Sequence, residues 1–213
     1  MIISPQNKYI YLACPKTGTM SVERFLIEQD PTAFRNEITI NNELIKFAGH
    51  ATVKSIKEKL QTDFKKYQVI GFVRHPYSRI VSSYFFYKKG GKTFSINPRK
   101  RGLIHNLRYL SAKMLPFKIW ALVYPYKSNK EFFIDDKSAI IVQYIGLFEN
   151  LSDDLEKIAK NLNLTFDFSK LKKINKSNHR PVDDYFKNSF FRKLINLKIK
   201  EDLKFYKSIE KSV

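Results

Sequence analysis

The pattern of apolar residues predicts a strand, a loop and a helix in succession at two places in the chain. The first strand covers residues 8–13 (KYIYLA), and the helix after it has apolar residues at helical spacing from Val22 to Leu26. The second strand, 68–73 (QVIGFV), is almost continuously apolar, which is typical of a strand buried on both faces of a parallel sheet. Its helix starts at Pro76, a residue suited to a first helical turn. This order predicts an α/β fold with a mainly parallel central sheet.

Weaker patterns predict the other elements. A short amphipathic helix follows His50, a strand covers 138–148, and a helix covers 151–162. Residues 188–209 are predicted to be mostly helical, and four residues are assigned to the apolar side: Phe190, Leu194, Leu197 and Ile199. Residues 88–133 interrupt the alternation of strands and helices, and we interpret them as a basic insertion.

Length and composition predict one globular domain over residues 1–213. The chain is 43% hydrophobic and 15% aromatic, which is enough for a packed core. A single cysteine, Cys14, excludes an internal disulfide framework and suits a reducing compartment. The first residues do not resemble a secretory leader, and no window is apolar for long enough to span a bilayer. We therefore expect a cytoplasmic protein.

The charge is strongly positive and unevenly distributed. The chain has 39 Lys and Arg against 20 Asp and Glu, a net charge of +19, and no acidic residue lies between Asp63 and Glu131. Such a field attracts anions, so nucleic acid, a membrane surface, an acidic polysaccharide and a phosphorylated cofactor all qualify as partners. Charge alone does not choose among them, and a simple role in solubility also remains open.

The segment Pro15–Ser21 (PKTGTMS) joins the first strand to its helix. The start of a helix offers backbone N–H groups and a positive dipole end to an anion. Gly18 allows close approach of the backbone, Lys16 adds a full charge, and the hydroxyl groups come from Thr17, Thr19 and Ser21. Because Lys16 precedes the glycine, the loop does not match the nucleoside-triphosphate pattern G-x-x-x-x-G-K-[ST]. The loop favours phosphate or sulfate binding.

A second loop of the same kind follows the second strand. Arg74 in the sequence VRHPYSR offers a planar fork suited to a terminal phosphate, and Ser82 lies further along the next helix. Two such loops after two successive predicted strands are a stronger signal than either loop alone.

The residues of both loops together resemble a known family. KYIYLACPKTGTMSVERFL and VIGFVRHPYSRIVSSY are similar to the two cofactor signatures of sulfotransferases that use 3′-phosphoadenosine-5′-phosphosulfate (PAPS). GHATVKSIK, IGLFENLSDDLEKI and NKSNHRPVDDYF resemble segments of the carbohydrate sulfotransferase branch. The resemblance covers residues 8–87 and 144–208 and leaves the insertion out. It implies a P-loop-like three-layer fold and adenosine 3′,5′-bisphosphate as a product.

The resemblance also implies roles for individual residues. The 5′-phosphosulfate is cradled by Lys16, Thr17, Gly18, Thr19 and Ser21, and the 3′-phosphate is held by Arg74 and Ser82. Met20 stands in this loop where the family usually has a hydroxyl residue. Lys176 and Ser177 lie in a stretch that returns toward the nucleotide in the family, and we include them as further contacts.

Sulfuryl transfer needs stabilisation of charge on the leaving phosphate and a base for the acceptor hydroxyl. We assign the first role to Lys16, because an ammonium group becomes more favourable as negative charge develops. We assign the second to His50, since imidazole titrates near neutrality and the family has its catalytic base here. Glu23 is an alternative base. No set of residues at metal-ligand spacing is visible, so we expect no metal.

For the acceptor, we expect an anionic or glycan molecule, such as a part of a bacterial capsule or lipopolysaccharide. Arg99, Lys100 and Arg101, with nearby aromatic residues, are the candidate contacts in the insertion. The charge is also compatible with peripheral contact to a membrane. The rival functions are a nucleic-acid-binding module, which explains the charge but not the paired loops, and a small-molecule kinase, which lacks the required lysine spacing.

Overall fold

The structure is a computed structural model that describes residues 1–89, 102–172 and 179–212, without the side chains of 102–106. Its strands are β1 (Ile2–Ser4), β2 (Tyr9–Leu12), β3 (Phe34–Arg35), β4 (Glu37–Ile40), β5 (Glu43–Lys46), β6 (Gln68–Val73) and β7 (Tyr144–Leu147). Its α-helices are α1 (Thr19–Gln29), α2 (Val53–Leu60), α3 (Pro76–Lys88), α4 (Gly102–Met114), α5 (Phe117–Val123), α6 (Leu151–Asn161), α7 (Ser189–Lys198) and α8 (Lys200–Glu210). The predicted α/β class is confirmed.

Within the described residues, the main sheet has five strands in the order β3-β1-β2-β6-β7. The strands β2, β6 and β7 run parallel, whereas β1 pairs antiparallel with both β2 and β3. Helices flank this central sheet, and β4 and β5 form a separate antiparallel pair. The prediction of parallel strands at β2 and β6 is therefore confirmed, and the antiparallel edge was not predicted.

The contacts divide the chain into two compact units. The first comprises Met1–His75, Ser128–Ile174 and Lys204–Val213, and the second comprises Pro76–Lys127 and Asn175–Leu203. The core of the first unit includes all of β2 and the buried faces of α1, α2 and α6. The core of the second unit is built on α3 and includes Trp120, Phe186 and Ile195.

Two expectations about local structure need correction. The strand predicted at 138–148 is limited to β7, and Ile140 forms only an isolated bridge with Ile134. On α7 the predicted apolar side is wrong at Phe190 and Leu197, which are exposed, because the buried side is formed by Phe191 and Ile195. The interpretation of 88–133 as a basic insertion stays a prediction, and within it Trp120 and Ala121 belong to a hydrophobic core.

Candidate functional site

The loop between β2 and α1 contains two residues with left-handed backbone conformation. Gly18, at the start of α1, has φ +74°, and Lys16 has φ +69°, a left-handed conformation that is uncommon outside glycine. A Cβ atom on Gly18 would lie 2.8 Å from Cε2 of Phe148. Glycine is therefore required here both by conformation and by the close approach of a ring.

The other residues of the first loop have different environments. Thr17 is fully buried, and its hydroxyl group donates a 2.8 Å hydrogen bond to the Cys14 carbonyl oxygen, so this proton stabilises the loop. Thr19 and Ser21 lie in the first turn of α1, where Ser21 is buried. Met20 is 55% exposed. The cofactor contacts predicted for this loop stay predictions, and the Thr17 proton is already engaged by Cys14.

The structure brings Arg74 to the first loop. Its Nη1 donates a 3.2 Å hydrogen bond to the carbonyl oxygen of Lys16. Its guanidinium carbon lies 4.2 Å from the centroid of the Phe148 ring, a cation–π contact. The two loops follow β2 and β6, which are neighbouring parallel strands. Both loops therefore begin at the carboxyl ends of these strands, at the same edge of the sheet. The candidate site is this edge.

The electrostatics of the site favour an anion. Burial, and secondarily the charge of Arg74, lower the pKa of Lys16 to about 8. Burial also lowers the pKa of Arg74, while the charge of Glu149 opposes this shift. The Arg74 Nε atom is buried and has no hydrogen-bond partner among the described residues. The site therefore contains two partly desolvated cations that repel each other and one unpaired N–H donor. A phosphate group would neutralise the cations and accept from the donor, so the site fits the phosphates of a nucleotide.

His50 also approaches the first loop. Its Nδ1 lies 2.5 Å from the carbonyl oxygen of Ala13, directly after β2. A carbonyl oxygen only accepts, so Nδ1 carries the proton in this contact, and the lone pair of a neutral ring is then on Nε2. The side chain of His50 is exposed, so an acceptor molecule can reach it. Glu23, the alternative base, instead contacts the Met1 amine and lies 3.7 Å from Arg35.

Sequence reasoning missed the part played by Phe148 and Glu149. Phe148 touches both loops, as described above, and one Glu149 oxygen accepts a 3.0 Å hydrogen bond from the backbone N–H of His75. The other Glu149 oxygen accepts a 3.2 Å bond from the Tyr206 hydroxyl group. Both residues follow β7, the third parallel strand, and that position at a carboxyl end was the available signal.

For six further predicted site residues, a place in the site stays a prediction. Ser82 is buried on α3, which begins the second unit, and its contact with a 3′-phosphate stays a prediction. Arg99, Lys100 and Arg101, together with Lys176 and Ser177, lie outside the described residues. In the described ranges, no three His, Cys, Asp or Glu side chains are grouped so that they could hold a metal ion. Among the same residues, no helix has both the length and the apolar character needed to cross a membrane.

The fold and the site define a class, namely α/β proteins in which two loops with cationic side chains follow neighbouring parallel strands. A model of the sulfotransferase family matches residues 1–112, more than half of the 213 residues, and the chain belongs to this family. Membership supports sulfuryl transfer as the general reaction. The chain is also similar to an uncharacterized protein of Archaeoglobus fulgidus, 29% identical over 101 residues that make up 47% of this chain and 72% of the relative.

Proposed function

We propose that this protein transfers the sulfuryl group of PAPS to a hydroxyl group of a carbohydrate acceptor. The observation that carries the proposal is the contact of Arg74 with the Lys16 loop at the ends of two parallel strands. The 3′- and 5′-phosphates of PAPS are substituents of one ribose, so the groups that bind them must lie near each other. A P-loop-like binding mode, with the 5′-phosphate over the start of α1, agrees with this arrangement.

The residues then divide the binding work. Lys16 and the first turn of α1 bind the 5′ end, and Arg74 binds the 3′-phosphate with the planar fork of its guanidinium group. Phe148 holds that fork in place through the cation–π contact. An anion at this position also removes the cost of keeping two cations partly desolvated beside each other.

The transfer step uses one acid–base group and one electrostatic group. When bound, PAPS supplies the sulfuryl group, whose bond to the 5′-phosphate oxygen breaks as the acceptor oxygen bonds to sulfur. His50 accepts the proton of the acceptor hydroxyl group at Nε2, because its Nδ1 proton is engaged by Ala13. Lys16 stabilises the negative charge that develops on the leaving phosphate oxygen.

The proposal is tested by calorimetry with adenosine 3′,5′-bisphosphate and with ATP. We expect the wild-type protein to prefer the bisphosphate, and Arg74→Ala to lose that preference. Arg35→Ala, which removes an exposed arginine on β3, is the matched control and should bind like the wild type. Equal or tighter binding of ATP by the wild type would contradict the proposal and favour a kinase.

The positive charge of the chain is the basis on which we propose the class of acceptor. The run of 15 Lys and Arg without an acidic residue between Asp63 and Glu131 suits an anionic glycan of the capsule or lipopolysaccharide kind. The experiment is a transfer assay with labelled PAPS and a panel of neutral and acidic polysaccharides. Incorporation into acidic polysaccharides supports the proposal, and transfer only to small phenols or alcohols would contradict it.

A further inference from the structure

Two consecutive helices of the second unit leave an unusual number of large apolar side chains exposed. On α4 they are spaced i, i+3 and i+7, and on α5 they are spaced i, i+3 and i+4, so each helix has one apolar stripe. These side chains are between 39% and 72% exposed: Leu107, Leu110, Met114, Ile119, Leu122 and Val123. Single exposed apolar residues are common, but contiguous stripes mark interaction surfaces.

The stripes are not the core side of these helices. Ala112 on α4 and Trp120 and Ala121 on α5 are buried, and they belong to the same hydrophobic core as α3. Lys198 further anchors the end of α5, because its ammonium group donates to the carbonyl oxygens of Ala121 and Tyr124 at 3.0 and 2.6 Å. The helices are therefore held on one side, and the stripes lie on the sides that this packing leaves uncovered.

The charge around the stripes selects the kind of partner. Lys113 and Lys118 are exposed on the same two helices, and Arg108 is half-buried beside the ring of Tyr124. No Asp or Glu occurs between Asp63 and Glu131. A second copy of this chain would bring like charges together, and protein interfaces are in general depleted of lysine. Apolar stripes beside lysines on short helices are instead the pattern of helices that lie in the surface of an anionic membrane.

We propose that α4 and α5 dock the second unit onto the surface of a bilayer that contains anionic lipids. The apolar stripes enter the boundary between headgroups and acyl chains, and Lys113 and Lys118 pair with lipid phosphates. This contact is peripheral, and it does not depend on the sulfuryl-transfer reaction. It would bring the protein to acceptors that are built on or attached to lipids.

The test is flotation of the full chain with vesicles of phosphatidylcholine alone and of phosphatidylcholine mixed with phosphatidylglycerol. We expect binding to the mixed vesicles that weakens as salt rises, with much less binding to the neutral ones. The double variant Leu110→Glu/Val123→Glu should lose at least about tenfold in partitioning. Lys113→Gln/Lys118→Gln should lose roughly fivefold for each charge removed.

The matched control is Phe34→Glu/Leu44→Glu, which makes the same change in charge at two exposed apolar residues of the first unit. It should bind vesicles nearly as well as the wild type, and circular dichroism should show that all variants are folded. Absence of wild-type binding, or equal losses in the control, would overturn the proposal. A second result would also overturn it: light scattering shows a wild-type dimer, Leu110→Glu/Val123→Glu abolishes that dimer, and no vesicle binding occurs. The stripes would then contact a second copy of the chain.

Discussion

Lys16 carries its charge in a place where water is scarce and another cation is close. Burial and the neighbouring Arg74 bring its pKa to about 8, so the ammonium form is held with difficulty near neutral pH. A bound phosphate would raise the pKa of Lys16 again, because an adjacent anion favours the protonated form. The site is thus prepared for negative charge before any ligand binds, which is how preorganised electrostatic sites lower barriers.

This pKa leads to a prediction about proton uptake. Binding of adenosine 3′,5′-bisphosphate should take up protons near pH 8, and the affinity should fall as the pH rises above 8, where free Lys16 is neutral. Calorimetry in two buffers with different ionisation enthalpies measures the uptake. Lys16→Arg should bind without this uptake, because arginine stays protonated over the range. An uptake that is identical in Lys16→Arg would show that another group titrates.

The same shift has a consequence for stability without ligand. Between pH 8 and 10.5 the unfolded chain holds a proton on Lys16 that the folded chain has lost. The contribution of Lys16 to the free energy of unfolding therefore rises with pH across that window. In denaturation measurements, this rise should be absent in Lys16→Met.

His50 gives a prediction that separates chemistry from binding. His50→Ala should keep its affinity for the bisphosphate and lose at least about 100-fold in turnover, because only the general base is removed. Equilibrium binding and a PAPS-dependent transfer assay measure the two quantities. His179→Ala, which changes a histidine of the second unit, is the control and should retain turnover. Unchanged turnover in His50→Ala would remove His50 from its role.

At the scale of elements, the candidate site is built from the segments that follow the carboxyl ends of β2, β6 and β7. The first is followed by the Lys16 loop, the second by Arg74 and the third by Phe148. Phe148 lies close to Gly18 and also makes the cation–π contact with the Arg74 guanidinium group. Moving this ring therefore changes both loops together.

Truncation of Phe148 tests this arrangement. Phe148→Ala should lower the affinity for the bisphosphate by about tenfold or more, because Arg74 loses its cation–π partner and the loop its packing. Phe166→Ala is the matched control, since Phe166 is also half-buried in the first unit but packs on Phe25. Both variants should lose roughly 1–3 kcal/mol of unfolding free energy, less than a fully buried ring. Equal affinities in the two variants would assign Phe148 a purely structural part.

For the molecule as a whole, the net charge of +19 is compatible with more than one kind of anionic partner. It would attract nucleic acid without any dedicated site, and the salt dependence of binding reveals the difference. Titration of a labelled oligonucleotide should give weak binding at physiological salt that the bisphosphate does not displace. Tight binding with a steep salt slope, unchanged in Arg74→Ala, would instead support a nucleic-acid-binding module.

Prediction from sequence succeeded for contiguous elements. It failed for the buried face of one helix and for two short strands. The strand 68–73 was predicted with the bounds observed and the next helix with its observed start at Pro76, because continuous apolar residues and proline act locally. On α7 the choice of Phe190 over Phe191 was wrong, since both neighbours are apolar and only the core decides which one is buried. The antiparallel strands β1 and β3 were missed because short segments have little periodicity.

The amino-acid pattern was sufficient for the α/β class, because that depends on composition and spacing within short segments. It also singled out the two loops with Lys16 and Arg74, and His50, whose roles stay predictions. Folding alone determined the contacts between distant segments. The Ala13 carbonyl oxygen contacts His50 across 37 positions in the chain, and Phe148 contacts both Gly18 and Arg74. Such contacts depend on which strands become neighbours in the sheet, and a single sequence has no periodic signal for that order.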